Sequence, residues 1–229
     1  MDRTNNYDIF KQDALKRFLT YDQETVTRRL NLPLDEQYIY VPFGSHLYRI
    51  HRGLPLMERS ADLLVYEKGC LVPSSAEACR EAETWQEADS NEVLSICDLL
   101  CHTTEPVHLA GRYQTLRSLN RVMGGTVSTL GSGFFGNTER FWDGRDRELA
   151  AACRALGGIP KGKGDVAYEI PIFEDIALLL QFYDSDDEFP PQLTFFLDEK
   201  ICDYFFYETT WYLVSLITEQ ITQRVRASA

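Results

Sequence analysis

Apolar residues recur along this chain at two periods, and where the period changes the expected element changes with it. From Tyr7 to Leu19, Tyr7, Phe10, Ala14 and Phe18 fall on one helical stripe with Leu15 and Leu19 beside it, the spacing of an amphipathic helix. A second, shorter helix is expected from Asp22 to Leu30, ending before Pro33 because the residue preceding proline disfavours helix. The period then drops to two. Tyr38–Pro42 and His46–Arg52 read as strands around Phe43-Gly44-Ser45, with Tyr38, Tyr40 and Pro42 alternating against Ile39 and Val41, a hairpin pattern.

Helical spacing returns after a polar stretch at 74–91. Asp89 with Glu92 three residues later forms a capping signature, and Val93, Ile96, Cys97, Leu100 and Cys101 make the apolar face that follows. Another helix is expected over Asp146–Leu156, with Leu149, Ala152, Cys153 and Leu156 together and Gly157-Gly158 as its stop. The glycine-rich Gly124–Gly136 segment lacks either period and reads as loop. Towards the end, Ala167–Phe173, Ile176–Tyr183 and Leu193–Leu197 read as strands, and a helix from near Thr209 buries Trp211, Val214, Ile217, Ile221 and Val225. Helical and strand signals neither alternate strictly nor separate into halves, so the expected class is α+β with mostly antiparallel sheet. No linker divides the chain, which is expected to form one domain over 1–229 with 74–91 as a surface excursion.

Composition narrows the function classes. A net charge of -12 and a pI near 4.8 argue against phosphate backbones, where Lys and Arg supply the affinity, and against anionic membrane surfaces. No stretch approaches the roughly 20 apolar residues a bilayer span needs, and Met1–Asp8 has no apolar core of a signal peptide. The expected location is therefore cytoplasmic. Six cysteines (Cys70, Cys79, Cys97, Cys101, Cys153 and Cys202) contain no C-x-x-C pair, so thiols are expected rather than disulfides, a zinc knuckle or a cluster cradle.

Several motifs invite a chemical reading. Gly131-Ser132-Gly133-Phe134-Phe135-Gly136 fits G-x-G-x-x-G, a loop whose backbone can approach phosphate, yet the kinase and dinucleotide contexts are both missing. Gly157, Gly162 and Lys163 match most of a Walker A loop, but Gly164 stands where Ser or Thr should hold magnesium. Gly157 as a helix C-cap, with Lys161 and Lys163 as solvated turn charges, explains that segment. Cys97, Cys101, His102 and His108 could supply metal ligands, although the two cysteines lie on the apolar stripe of their helix. His46 and His51 fall on opposite strand faces by parity. Asp184-Ser185-Asp186-Asp187-Glu188 gathers four carboxylates in five residues. As a calcium loop it fails, with Phe189 for the required Gly and Phe195 for the required Glu. Pro190 and Pro191 stiffen the backbone beyond it.

The run Asp184–Asp198, D-S-D-D-E-F-P-P-Q-L-T-F-F-L-D, resembles the hallmark of a bacterial and archaeal family catalogued as a domain of unknown function, number 3786. Asp186, Asp187, Glu188, Phe189, Pro190, Pro191 and Asp198 match its acidic turn and the aspartate closing the following strand. The strand here ends F-L-D rather than L-F-D. Tyr40–Ile50 is similar to the family's early hairpin. Leu109-Ala110-Gly111-Arg112-Tyr113 with Arg117, Leu119 and Gly124-Gly125 is similar to its central region, at a longer final spacing. The likeness runs from about Glu36 to Thr222. Some members accompany a cysteine-rich iron–sulfur segment, which is not found in this sequence, so cluster chemistry is not carried over. The resemblance implies one domain and assigns no catalytic residue and no cofactor.

The expectation is a non-enzymatic or accessory domain that binds a small molecule or a protein partner, with Asp186, Asp187, Glu188, Gly131 and Gly133 as its ligand-binding candidates. The alternative is a metal-dependent enzyme in which the acidic turn 184–188 holds a divalent cation. A third reading, redox chemistry at Cys97 and Cys101, turns on whether their thiols are accessible.

Overall fold

A computed structural model of the protein describes residues 6–63, 65–67, 70–72, 84–122 and 135–228. Packing divides the chain into two compact units, Met1–His108 with Asp203–Leu213, and Leu109–Cys202 with Val214–Ala229.

In the first unit the amphipathic helix forms as α1 (Asn6–Phe18), and Asp22 caps α2 (Gln23–Arg29) through its side chain and the Thr25 N–H. The hairpin forms as β1 (Tyr38–Phe43) and β2 (His46–His51), paired Tyr38 to His51 and Phe43 to His46. Gly44 takes the left-handed φ of 56° in its turn, a conformation other residues resist. Next come β3 (Met57–Leu63), the small hairpin β4 (Val65–Glu67) and β5 (Cys70–Val72), and β6 (Trp85–Glu87). The main sheet of this unit has the order β1-β2-β3-β6.

Helix α3 (Ser90–His102) opens with both arms of the capping box in place, Asp89 to the Glu92 N–H and Glu92 back to the Asp89 N–H. It buries Val93, Ile96, Cys97, Leu99 and Leu100 and packs against α1. One expectation is corrected here. Leu15 and Phe18 are the buried residues of α1, whereas Tyr7 and Phe10 are 50% and 58% exposed. Periodicity names a stripe, but only the part of it facing α3 is covered.

The second unit contains β7 (Tyr113–Thr115), α4 (Leu116–Val122), α5 (Gly136–Trp142), α6 (Asp146–Ala155) and β8 (Ile159–Pro160). Three longer strands follow, β9 (Val166–Phe173), β10 (Ile176–Tyr183) and β11 (Gln192–Asp198). The sheet order is β7-β11-β10-β9-β8, every pairing antiparallel. Helix α7 (Tyr207–Ser228) ends the chain and contributes to both units; Val214, Ile217, Ile221 and Val225 are buried as expected, and Trp211 is half-buried. The architecture is α+β, with seven helices and two principal antiparallel sheets among the described residues. No helix among them is long and apolar enough to cross a membrane.

The faces of the five-stranded sheet differ. Ile170, Ile172, Leu178, Leu180, Phe182, Phe195 and Leu197 are buried on one, with Trp142 edge-on to Phe182 at 6.1 Å between ring centroids. Across the other run Glu169, Leu179 and Phe196, in register with one another and with Thr115 and only half-buried. An antiparallel sheet can leave one face to solvent. This one leaves an apolar face partly covered.

Candidate functional site

The acidic segment 184–191 joins β10 to β11, the hairpin end expected from the sequence. Its first carboxylates serve the fold. Asp184 Oδ1 accepts the Gly144 N–H at 2.8 Å, and the Asp184 N–H donates to Asp165 Oδ2 at 2.9 Å. Ser185 donates to Asp143 through both its N–H and its hydroxyl, at 2.8 and 2.9 Å. Asp186 Oδ1 accepts the N–H groups of Glu188 and Phe189 at 2.8 and 2.7 Å, the local closure that makes Asp a turn residue. Burial, together with the neighbouring Asp146 carboxyl, raises the Asp184 pKa against the pull of the Gly144 N–H. Asp187 and Glu188 are exposed. Gly131 and Gly133, like most of the Gly124–Gly136 segment, lie outside the described residues.

Asp198, the aspartate that closes the signature, is buried at 3% exposure. Its carboxylate accepts three backbone N–H groups: Ala110 at 3.0 Å, Arg112 at 3.1 Å and Lys200 at 2.9 Å. Gly111, between two of these donors, has a φ of 69°, while a Cβ there would meet no atom within 4 Å. Backbone conformation, not space, therefore requires glycine. Two stretches that are separate motifs in the sequence, L-A-G-R-Y and the closing F-L-D, are two halves of one carboxylate-to-backbone clasp.

The cleft lies on the half-buried sheet face. It encloses about 430 Å³ and is lined by Tyr113 from β7, Phe196 from β11, Leu179 and Gln181 from β10, Ala167 and Glu169 from β9, and Lys161, Gly162 and Lys163 from the β8–β9 turn. That volume is of the size small-molecule sites use. Its floor is apolar, and two of its polar groups, Tyr113 and Lys161, converge on one carboxylate. Glu169 Oε2 accepts from the Tyr113 hydroxyl at 2.9 Å and pairs with Lys161 Nζ at 2.9 Å. Strands β7 and β9 are separated by β11 and β10, roughly 14 Å at the usual strand spacing, so the two side chains reach toward each other across the face. Burial first, and then the bond to Glu169, raise the Tyr113 phenol well above its ordinary value. Tyr113 therefore stays a proton-bearing donor and not a base.

Lys161 is exposed, as expected of a turn charge, and in addition pairs with Glu169. Lys163 lines the same cleft and has no ion-pair partner among the described residues. The two glycines beside it differ. Gly164 has a φ of 103°, and a Cβ there would lie 2.8 Å from the Phe182 carbonyl oxygen, so the fold demands it. Gly162 has no left-handed φ, and a Cβ there would meet nothing within 4 Å.

Three histidines among the sequence candidates take up local contacts. His102 lies edge-on to Phe206 at 4.5 Å, His46 Nδ1 lies 3.1 Å from the Ser60 carbonyl, and His51 Nδ1 accepts the Gly53 and Leu54 N–H groups. Burial pushes the Cys97 thiol far up and the Cys101 thiol up to about 11, which withdraws the thiolate that redox chemistry needs. Among the described residues no group of three or more His, Cys, Asp or Glu side chains is placed to hold a metal ion. None of Asp186, Asp187 and Glu188 lines the cleft. The sequence singles out Lys161, Gly162, Lys163 and Tyr113 only as turn charges, a failed Walker A loop and a family motif, and nothing in it joins them to Glu169, Leu179 and Phe196. The available signal was Glu169, a charge inside the otherwise apolar strand Val166–Phe173.

A family profile described as "Domain of unknown function (DUF3786)" matches residues 58–220. No curated protein and no solved structure matches the chain. The profile begins after the early hairpin and spans the Asp198 clasp, the acidic turn and every residue of the cleft. The chain belongs to this family.

Proposed function

We propose that the protein is a non-enzymatic, accessory small-ligand-binding protein whose site is the cleft of Tyr113, Glu169, Lys161, Lys163, Leu179 and Phe196. The observation that carries this reading is a concave, apolar-floored space on one sheet face where Tyr113 and Lys161 converge on Glu169, beside a lysine with no ion-pair partner among the described residues. Apolar walls with a small number of placed polar groups are what small-molecule sites have in common. Tyr113 and Lys161 hold Glu169 before any ligand arrives, so the polar side of the site is ordered in advance, which lowers the cost of binding. The lining contains no Ser, Thr, Cys or His, which favours binding over nucleophilic turnover of the Ser–His or Cys–His kind. The acidic turn at 184–188 supports the hairpin end in this reading. Cytoplasmic location and the lack of nucleic-acid or membrane partners remain part of the proposal, on the acidic charge of the chain.

The test is a fragment titration of the isotope-labelled full chain followed by amide chemical shifts. The expected result is that fragments which bind move resonances of Tyr113, Leu179 and Phe196 together. Shifts confined to the acidic turn, or no binder in a broad library, would overturn the reading.

A further inference from the structure

We infer that the cleft takes a small organic monocarboxylate, an anionic head on an apolar body, with Lys163 holding the head and Gly162 leaving room for it. This rests on the cleft being a ligand site and adds the chemical class of its occupant.

Three observations converge. First, the cleft holds two lysines and one carboxylate, Lys161, Lys163 and Glu169. Glu169 and Lys161 neutralise each other at 2.9 Å, which leaves one positive charge over. In a chain of net charge -12, a cation beside a cavity with no carboxylate partner among the described residues favours an anionic visitor locally. Second, the floor of Ala167, Leu179 and Phe196 is apolar, so a fully hydrated anion such as inorganic phosphate would leave most of it uncovered. A hydrocarbon or aromatic body would cover it. Third, Gly162 lines the cleft next to Lys163, yet neither its φ nor its surroundings require glycine. Gly164, two residues on, is fixed by the fold on both counts. A side chain at position 162 would occupy open space at the cleft wall, so what the glycine preserves there is access. Glu169 adds discrimination. A ligand ammonium would meet a Glu169 already neutralised by Lys161, with the second lysine beside it, whereas a carboxylate meets Lys163 directly.

The experiment is calorimetry on the full chain with three isosteric probes, phenylacetate, phenylacetamide and phenethylamine, repeated with Lys163→Gln and Gly162→Leu. The expected result is that phenylacetate binds about tenfold or more tightly than the amide, the worth of one charge-assisted contact, and that the amine binds least. Lys163→Gln brings phenylacetate down to the level of the amide and leaves the amide itself unchanged. Gly162→Leu removes binding of all three without lowering the melting temperature. If the amide or the amine binds as well as the acid, or Lys163→Gln leaves the preference intact, the carboxylate assignment fails while the cleft stands as a site. If none of the three binds to a folded chain, the ligand-site reading fails with it.

Discussion

Each unit of this protein contains a tyrosine, a glutamate and a basic residue in the same bonding arrangement, and the two trios differ in where water can reach. In the first unit Glu92 Oε1 accepts from the Tyr48 hydroxyl at 2.9 Å and from Arg59 Nη1 at 2.6 Å, and its Oε2 closes the capping box on the Asp89 N–H at 2.7 Å. The Glu92 side chain is 1% exposed. In the second unit Glu169 Oε2 accepts from Tyr113 and pairs with Lys161 at the same kind of distances, but the side chains of Glu169 and Lys161 are 23% and 41% exposed. Both oxygens of Glu92 are occupied. Neither contact of Glu169 uses Oε1. A sealed, saturated carboxylate can only hold structure together, since any exchange would strand a buried charge. A carboxylate at a cleft wall with one oxygen unused can trade partners at small cost. Similar chemistry is thus a strut in one unit and, in the proposed function, a site in the other.

The contrast can be broken most forcefully at its buried end. Glu92→Ala leaves the Tyr48 hydroxyl, Arg59 and the Asp89 N–H without their common acceptor, and is expected to cost about 3–5 kcal/mol, as loss of one partner of a buried pair does. The shift of the urea midpoint measures this, and a loss below about 1 kcal/mol would place Glu92 in the same category as an exposed pair. Next in size is Asp198→Ala, which orphans the N–H groups of Ala110, Arg112 and Lys200 and is expected to cost about 2–3 kcal/mol; hydrogen exchange should report the Ala110 and Arg112 amides opening first. At the exposed end, Glu169→Gln keeps an acceptor for Tyr113 and gives up only a half-exposed ion pair, so its stability cost is expected to stay within about 1 kcal/mol.

The smallest effect concerns the acidic turn. Because the folded state raises Asp184, it binds that proton more tightly than the unfolded chain does. The associated stability is fully present below the ordinary carboxylate range and is lost as pH rises through the raised value. Asp184→Asn mimics the protonated form and keeps an acceptor for Gly144. It is expected to stabilise the fold slightly at neutral pH, by no more than about a few tenths of a kcal/mol given screening, with the gain gone by about pH 3. Thermal melts across that range check the sign, and a gain that grows as pH falls would refute it.

What the sequence disclosed and what it withheld follow from the range of each interaction. The capping box of Asp89 and Glu92 was legible because its two residues are three apart, whereas the other half of that network joins residues separated by 44 and 33 positions and leaves no local pattern. The hairpins and the helices α1, α2, α3, α6 and α7 declared themselves by period and caps. Strands β7 and β8, of three and two residues, are too short for a period to register. Tyr7 and Phe10 show the converse error, since apolar spacing is a property of the helix and burial a property of its neighbour. Asp198 stood out as a motif, yet its role needed Gly111 and Arg112 beside it. The cleft was illegible for the same reason: Tyr113 and Glu169 lie 56 residues apart, and Lys161 looks like any turn lysine until Glu169 is placed opposite.

The claim that one trio is structural and the other a site is tested most directly by the affinity of phenylacetate for Glu169→Gln. Removing that carboxylate takes away a like charge and frees Lys161 to join Lys163. The expected result is therefore a folded protein that binds the acid more tightly than the wild type, by roughly fivefold for about 1 kcal/mol. A Glu169→Gln protein that unfolds as Glu92→Ala does, or that binds phenylacetate no better than before, would contradict it.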